Sequence, residues 1–243
     1  LMQSLLAGTI IRCGLSAQMC DVSAEEVQQT MEGFRCTLNL KGDRADFISP
    51  LTGGYNVLNV LAAAGVGLGL GLPPDRIREG LTKVGRVPGR LERVRLPGEA
   101  NASGPAVFVD YAHTPDALDN VLATLKGLAT RRLICVFGCG GDRDRGKRPQ
   151  MGAIAARYAD VIIVTSDNPR TEKPEAILEE IVQGVTGSGT ARRTMAELFC
   201  GVRPLDGYTV IGDRRQAIAA ACSLAAAGDS VLVAGKGHER YQI

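Results

Sequence analysis

The chain has 243 residues, about one and a half times the length of a typical domain, so we expect one large domain or two smaller ones. Hydrophobic residues make up 45% and charged residues 22%, which excludes an intrinsically disordered chain. The 30 glycines exclude a long coiled coil, and the net charge of +2 gives no reason to expect nucleic acid or a membrane surface as a partner.

The first part of the chain predicts too few strands for a complete α/β domain. Two half-buried strands, at 33–40 and 44–50, flank a Lys-Gly-Asp turn. A long apolar helix is predicted from about Tyr55, and a second helix begins at Pro73 and Pro74. This segment therefore resembles the second half of an α/β domain.

Residues 85–91 contain proline and glycine and are the best candidate for a linker. Beyond them, short apolar runs alternate with amphipathic stretches, a pattern typical of a parallel sheet covered by helices on both faces. The runs are 105–111, 131–138, 159–166, 208–212 and 230–235. We therefore predict a Rossmann-like, doubly wound, mainly parallel α/β domain over residues 89–243, preceded by a partial α/β domain in residues 1–88.

Two helix starts carry capping signals. Thr114 offers an N-cap before Pro115 and Asp116, which suit the first turn of a helix. Asp213 and Gln216 have the spacing of a capping box.

The cysteines and the apolar runs indicate a cytoplasmic chain. The seven cysteines form no Cys-x-x-Cys pair and the chain has two histidines, so we expect no zinc site. We predict instead that the cysteines are small buried hydrophobic residues of a protein in a reducing compartment. We find no signal-peptide pattern, and the longest apolar run, 60–72, is shorter than the roughly 20 residues that a bilayer span needs.

Four polar motifs directly follow predicted strands, at 110–116, 138–149, 166–170 and 235–239. Because the carboxyl ends of parallel strands meet at one edge of a sheet, we expect a ligand site there. In the first motif, His113 and Tyr111 could flank a planar ring, and Asp110 could accept from a ribose hydroxyl or hold a water on magnesium. Arg143 and Arg170 suit anionic groups, because a guanidinium binds a carboxylate through two parallel hydrogen bonds.

The second motif is similar in spacing to a nucleotide-phosphate loop. Gly141, Gly146 and Lys147 match G-x-x-x-x-G-K after a strand. Arg148, however, stands where that loop needs a hydroxyl for magnesium, and Pro149 removes a backbone donor. We therefore favour a ligand loop that does not bind nucleotide phosphates.

In this order and spacing, the four motifs, with LTGGYNVLN at 51–59 and GRLE at 89–92, resemble the Mur ligase family over most of the chain. The resemblance implies ATP- and Mg²⁺-dependent amide formation through an acyl phosphate. Within the family it points to the addition of meso-diaminopimelate to UDP-N-acetylmuramoyl-L-alanyl-D-glutamate. It makes residues 1–88 the end of the central ATP-binding domain and residues 89–243 a slightly truncated C-terminal domain that binds the amino acid. It implies small-molecule partners without nucleic acid or membrane, and we expect a monomer.

The resemblance also assigns site residues. Those implied for the nucleotide are Asn56, Asn59, Arg90, Asp110 and His113, of which Asn56, Asn59 and Arg90 would serve catalysis. Those implied for diaminopimelate are Arg143, Asp167, Asn168, Arg170, Gly235 and Glu239. The two asparagines lie three residues apart, on one helix face, and an unsatisfied buried amide costs ~1–3 kcal/mol, so we interpret them as ligand contacts.

The distal end of diaminopimelate carries a carboxylate and an ammonium. The resemblance implies that Arg170 forks onto the carboxylate, while Glu239 and the Gly235 carbonyl accept from the ammonium. Lysine has no distal carboxylate, so we predict diaminopimelate over lysine.

The family's phosphate loop, its magnesium-binding glutamate, its modified lysine and its uridine-binding domain have no counterpart in the chain. We therefore expect part of a ligase that makes no acyl phosphate by itself, with magnesium ligands mainly outside it. Two alternatives stay open: a sister ligase, such as a folylpolyglutamate or cyanophycin synthetase, and a non-catalytic subunit of a larger assembly.

Overall fold

The structure is a computed structural model that describes residues 10–95, 104–199, 206–239 and 241–242. It divides into two compact units, Leu1–Val87 and Pro88–Ile243. Each unit has its own sheet and its own hydrophobic core.

The first unit is a four-stranded sheet covered by two helices. In chain order its elements are β1 (Cys13–Gly14), β2 (Val22–Thr30), β3 (Gly33–Leu40), β4 (Asp43–Ser49), α1 (Gly54–Gly69) and α2 (Pro74–Thr82). The strands lie in the order β1-β2-β3-β4, with β1 parallel to β2 and the later pairs antiparallel. The predicted strands and helices are confirmed as β3, β4, α1 and α2.

Strand β2 was not predicted, and a β-bulge explains why. The β2–β3 register shifts between Glu25 and Gln28, and Glu26 adopts a φ of +53°. A bulge inserts an extra residue and interrupts the alternation of buried and exposed side chains. The pattern that identifies a half-buried strand is therefore missing from the middle of this one.

Two glycines of α1 allow its neighbours to pack closely. A Cβ on Gly65 would lie 2.5 Å from Sγ of Cys13, and one on Gly67 would lie 3.0 Å from Cγ1 of Ile77. A larger residue at either position would push β1 or α2 away from the helix.

The second unit is a six-stranded sheet with helices on both faces. Its elements are β5 (Glu92–Val94), β6 (Ala106–Asp110), α3 (Pro115–Leu128), β7 (Leu133–Phe137), α4 (Lys147–Tyr158), β8 (Val161–Val164), α5 (Pro174–Gly187), α6 (Met195–Phe199), β9 (Gly207–Val210), α7 (Arg214–Leu224) and β10 (Ser230–Ala234).

The strand order is β5-β6-β10-β7-β8-β9, and each pair is parallel except β5 with β6. Every residue of β7, β8 and β10 is buried, as expected for central strands covered on both faces. Helices α3, α4 and α5 pack side by side, while α6 and α7 form a separate layer. The predicted doubly wound, mainly parallel sheet is confirmed.

Both predicted helix caps are present. The Thr114 hydroxyl accepts from the Ala117 amide at 3.4 Å, and α3 begins at Pro115. The Asp213 carboxylate accepts from the Gln216 amide at 2.8 Å at the start of α7. Each cap satisfies a backbone donor that the first turn of the helix leaves unpaired.

The cysteine prediction is only partly confirmed. Burial raises the pKa of the Cys36 thiol to about 11 and that of the Cys139 thiol to about 12. Cys13 and Cys222 are exposed, so the prediction of buried cysteines is wrong for these two. Cys200 lies outside the described residues.

In the parts of the chain that the structure describes, no helix is both long and apolar enough to cross a membrane. Helix α1, the most apolar of the long helices, has 16 residues, against the roughly 20 that a bilayer span needs.

Candidate functional site

Four loops meet at one edge of the six-stranded sheet. Strands β6, β10, β7 and β8 are adjacent and parallel, so their carboxyl ends lie side by side. The loops that leave these ends contain the four motifs singled out in the sequence. The expected convergence of the motifs is therefore confirmed, and its cause is the strand order.

A pocket of about 420 Å³ lies among these loops. Seven of the predicted site residues line it: His113, Arg143, Asp167, Asn168, Arg170, Gly235 and Glu239. The remaining lining residues are Tyr111, Thr114, Pro115, Gly140, Asp144 and Lys147. The lining thus combines three cationic side chains with three carboxylates, which suits a ligand that carries charges of both signs. The roles of the individual residues stay predictions.

Lys236 pairs with two of the three carboxylates of the pocket, those of Asp167 and Glu239. Its Nζ lies 3.0 Å from Oδ1 of Asp167 and 3.6 Å from Oε2 of Glu239, and it donates to Oδ1 of Asn168 at 2.9 Å. Asp167 and Asn168 are each 8% exposed, so their contacts with Lys236 are largely shielded from solvent. Lys236 falls within the fourth motif, 235–239, but the sequence predicted no role for it. Its place between two glycines at a strand end was the available signal.

Arg170, which also lines the pocket, has a strained backbone conformation. Its φ is +52°, in the left-handed region, which costs a non-glycine residue on the order of 1 kcal/mol. Its Nη1 donates to the carbonyl of Gly141 at 2.5 Å. Gly141 itself packs so closely on the carbonyl of Pro169 that no Cβ would fit. The loops that follow β7 and β8 are therefore packed closely against each other and joined by a hydrogen bond.

Asp110 is a predicted site residue that does not line the pocket. It is 5% exposed, and its two carboxylate oxygens accept from the amides of Leu91, at 2.6 Å, and Ala112, at 2.7 Å. Burial raises the pKa of the Asp110 carboxyl, while these hydrogen bonds and the charge of Arg90 oppose the rise. Through these hydrogen bonds the Asp110 carboxylate fixes the backbone of Leu91 against the end of β6. Its contact with a nucleotide stays a prediction.

Both histidines of the chain contact Tyr111. The His113 ring centroid lies 4.6 Å from that of Tyr111, edge-on, and the His238 centroid lies 5.9 Å away. The guanidinium carbon of Arg90 lies 5.0 Å from the same ring. Because the rings of Tyr111 and His113 touch, a planar ligand would stack on the outside of this pair. The expected position between the two rings does not fit this arrangement.

The two predicted asparagines of the first unit satisfy each other. Asn56 is 7% exposed, and its Nδ2 donates to the Thr52 carbonyl at 2.7 Å. Its Oδ1 accepts from Nδ2 of Asn59 at 3.1 Å. The shared helix face is confirmed. The argument that a buried amide here requires a ligand is wrong, because local partners satisfy it, and the nucleotide contact stays a prediction from the resemblance.

Arg148 occupies the position where a phosphate loop would have a hydroxyl. Its guanidinium is fully buried and binds the carboxylates of Glu172 and Glu180. Arg148 is not among the residues that line the pocket, and the prediction that this loop is not a phosphate loop stays a prediction. The sequence marks Arg148 as a departure from that motif but does not indicate its partners, since they lie on another loop and another helix.

Arg214 was also missed. This first residue of α7 is 7% exposed, and its Nη2 donates to the carbonyl of Ala234, at 2.8 Å, directly before Gly235. Burial lowers the pKa of the guanidinium, while the charge of Asp167 opposes this shift. Nothing in its helix-start context indicated burial, because charged residues are ordinary in a first turn.

The described residues contain no cluster of three or more histidine, cysteine, aspartate or glutamate side chains able to hold a metal ion. The acidic residues of the pocket are instead engaged with Lys236 and with loop amides.

The sequence profile of the family described as "Mur ligase, glutamate ligase domain" matches residues 89–237. The chain belongs to the Mur ligase family. It is 50% identical over 234 residues to the UDP-N-acetylmuramoyl-L-alanyl-D-glutamate–2,6-diaminopimelate ligase of Geobacter sulfurreducens, covering 96% of this chain and 45% of that protein. The chain thus spans less than half the length of this curated Mur ligase.

Solved structures of Mur ligases and their relatives have the same fold. A UDP-N-acetylmuramoyl-L-alanyl-D-glutamate–2,6-diaminopimelate ligase superposes with a TM-score of 0.62 at 38% identity, covering 94% of this chain and 42% of that one. The folylpolyglutamate synthase of Mycobacterium tuberculosis complexed with ADP superposes with a TM-score of 0.64 at 26% identity, covering 88% of this chain and 45% of that one.

Proposed function

We propose that this chain supplies the amino-acid site of an ATP-dependent ligase that adds meso-diaminopimelate to UDP-N-acetylmuramoyl-L-alanyl-D-glutamate. The observation that carries the proposal is the pocket, where seven predicted residues from four loops line one cavity of about 420 Å³. The relative that is 50% identical bears the name of this activity.

The charges of the pocket match the distal end of diaminopimelate. Arg143 and Arg170, from two different loops, would take the distal carboxylate. Asp167, Glu239 and the Gly235 carbonyl would accept from the distal ammonium. Charge-assisted hydrogen bonds of this kind are roughly twice as strong as neutral ones, so a ligand with both charges is strongly favoured over one that lacks either.

This arrangement also favours diaminopimelate over lysine. Lysine shares the ammonium but has no distal carboxylate, so it would leave two arginines of the pocket without an anionic partner. A site built to bind a polar group rejects the analogue that lacks it, because the groups of the site are then left unpaired.

The proposed reaction is amide formation in two steps. A carboxylate oxygen of the UDP-linked substrate attacks the γ-phosphorus of ATP, and ADP leaves with the bridging oxygen. The amine nitrogen of diaminopimelate then attacks the acyl carbon, phosphate leaves with the electron pair of the broken C–O bond, and the amine loses a proton. The pocket residues of this chain would hold the amine in line with the acyl carbon, and such positioning is a major source of rate enhancement.

We assign the nucleotide to Asn56, Asn59, Arg90, Asp110 and His113 on the basis of the resemblance, with Arg90, Asn56 and Asn59 serving catalysis. The Arg90 guanidinium lies 5.0 Å from the centroid of the Tyr111 ring, and its charge acts on the Asp110 carboxyl, so Arg90 lies beside another residue assigned to the same nucleotide. Bound Mg²⁺ would neutralise phosphate charge, and we place none of its ligands among the described residues of this chain.

We also propose the domain assignment implied by the family. Residues 1–88 would be the C-terminal part of the central ATP-binding domain, and residues 89–243 the amino-acid-binding domain. The protein would work in the cytoplasm as a monomer on small-molecule substrates.

A sister ligase is the less supported alternative. The folylpolyglutamate synthase structure is 26% identical, against 50% for the diaminopimelate ligase of Geobacter sulfurreducens. No observation favours a non-catalytic subunit.

A chimaera tests the proposal. This chain replaces the matched 234-residue segment of the Geobacter sulfurreducens ligase, and ATP-dependent addition of diaminopimelate and of lysine is measured beside the unmodified relative. We expect addition of diaminopimelate with little addition of lysine. A folded chimaera that prefers glutamate or lysine would refute the assignment. Calorimetric titration of the chain alone with diaminopimelate provides an independent check that does not depend on catalysis.

A further inference from the structure

Arg148 is the centre of a network of hydrogen bonds and ion pairs to which the proposed function assigns no role. It is the second residue of α4 and is fully buried. Its Nη1 donates to Glu172 at 2.9 Å and to Glu180 at 2.8 Å, while Nη2 donates to the other Glu172 oxygen at 2.7 Å and to the Gly140 carbonyl at 3.3 Å. One guanidinium thus joins α4, α5 and two of the pocket loops.

Glu172 extends this network to the loop after β7. Its Oε1 accepts from the Asp142 amide at 2.6 Å. The Asp142 carboxylate in turn accepts from the Thr171 amide at 3.1 Å and from the Thr171 hydroxyl at 2.7 Å. The Arg148 guanidinium is the main cause that lowers the pKa of Glu172 to about 2, so the pair is ionised throughout the neutral range.

The two loops connected in this way carry four of the six charged residues that line the pocket: Arg143, Asp144, Asp167 and Arg170. We define the first loop as residues 138–146 and the second loop as residues 165–173. The Gly141 amide donates to the Asn168 carbonyl at 2.8 Å, so the backbones of the loops are also joined directly. Arg143 lies on the first loop and Arg170 on the second, and both line the pocket. The separation of the loops therefore sets the separation of these two arginines.

Burial of the Arg148 guanidinium suggests a role in specificity more than in stability, while its partner Glu172 is 21% exposed. Removing a charge from water costs several kcal/mol, and buried ion pairs can often be replaced by apolar residues without loss of stability. The Nε of Arg148 has no hydrogen-bond partner, which adds to the cost. An arrangement with this cost is best explained by the geometry it imposes on the loops.

We infer that Arg148 is a positioning residue for the amino-acid site. Through Glu172 it sets the distance between the first and second loops, and with it the gap between Arg143 and Arg170 that receives the ligand's carboxylate. It touches no ligand. The identity of the ligand rests on the proposed function, whereas the coupling of the two loops does not.

The test compares Arg148→Met with Arg145→Met. Arg145 also pairs with Glu180, but from an exposed position and without touching Glu172, so its variant is a matched loss of charge. Hydrogen exchange is followed at the amides of Gly141, Asp142 and Thr171, each of which donates across the two loops. We expect exchange at least about tenfold faster in Arg148→Met, a change of ~1.4 kcal/mol, and within about twofold of the parent chain in Arg145→Met.

The pattern of exchange distinguishes positioning from general loss of stability. Amides of α7 and β10 in Arg148→Met should keep the exchange rates of the parent chain. A uniform increase across the second unit, or unchanged exchange at the three loop amides, would overturn the inference. If Arg148→Met does not fold, Glu172→Gln removes the same ion pair while keeping an acceptor for the Asp142 amide, and the same expectations apply.

Titration with meso-diaminopimelate adds the functional readout. We expect its dissociation constant to rise about tenfold in Arg148→Met and Glu172→Gln and to stay within about twofold in Arg145→Met. Arg148→Lys keeps the charge but not the fork, so it should restore affinity only in part. Unchanged affinity in a folded Arg148→Met would count against the inference. No binding by the parent chain would count against the proposed function, and the exchange data would then decide the coupling alone.

Discussion

The ammonium of Lys236 lies 3.0 Å from Oδ1 of Asp167, and both side chains are largely buried, with 11% and 10% of their surfaces exposed. The same ammonium lies 3.6 Å from Oε2 of Glu239. One cation thus serves two carboxylates that the proposed function assigns to the amino acid. These contacts connect the loop after β8 with the loop after β10, two strands that are not neighbours in the sheet.

Replacing Lys236 with methionine should destabilise the second unit. Asp167 and Asn168 would lose a charged donor while staying buried, and hydrogen bonds to charged groups contribute about 1.5–3 kcal/mol. We expect a loss of that size in the free energy of unfolding, measured by urea denaturation. Lys236→Arg keeps the positive charge and should lose less. Equal stability of Lys236→Met and the parent chain would show that these contacts contribute nothing.

Replacing Arg170 with alanine should reduce the preference for diaminopimelate over lysine. The variant loses the guanidinium proposed to bind the distal carboxylate, so the affinity for diaminopimelate should fall at least about tenfold. Affinity for lysine should change little, because lysine has no group at that position. Calorimetric titration with both amino acids measures the ratio, and an unchanged ratio would contradict the assignment. The control is Arg131→Ala, which removes an arginine that precedes β7, at the end of the strand away from the pocket, and should leave the ratio unchanged.

Replacing Asp110 with asparagine should loosen the segment around Leu91. An asparagine has one acceptor oxygen, so only one of the backbone amides of Leu91 and Ala112 keeps its hydrogen-bond partner. The other amide would face the NH2 group of the asparagine side chain, which is itself a donor. An unsatisfied buried donor costs about 1–3 kcal/mol. We expect a lower free energy of unfolding and faster hydrogen exchange at the Leu91 or the Ala112 amide. Exchange unchanged at both amides would contradict the role we describe for this carboxylate.

The Arg148–Glu172 pair should stabilise the chain at neutral pH and lose its effect in acid. The pKa of Glu172 is lowered from 4.5 to about 2, so the folded state binds its proton less tightly than the unfolded state. This stabilisation is complete above the unfolded value of 4.5 and disappears as the pH falls towards about 2. The difference in unfolding free energy between the parent chain and Glu172→Gln should therefore shrink over that range. A difference independent of pH would contradict the ionised pair.

Much of the second unit could be predicted because its signals are local. Five apolar runs became five strands, and the caps at Thr114 and Asp213 lie where their sequence context placed them. Strand β2 could not be predicted, since its bulge at Glu26 interrupts the alternation on which the prediction depends. The amide argument at Asn56 failed because the partners that satisfy it, Thr52 and Asn59, are only identified once the helix geometry is known.

The sequence by itself determined the fold class of the second unit, the strand ends that carry polar motifs and the family to which the chain belongs. These depend on periodicity, caps and motif order, which are properties of neighbouring residues. Only the tertiary structure decided which loops share a pocket, that Lys236 lies between two carboxylates and that the buried Arg148 pairs with Glu172. Such contacts depend on the strand order β6-β10-β7-β8, which brings distant segments together. The energy of a buried charge depends on the partners at that position, and the local sequence does not specify them.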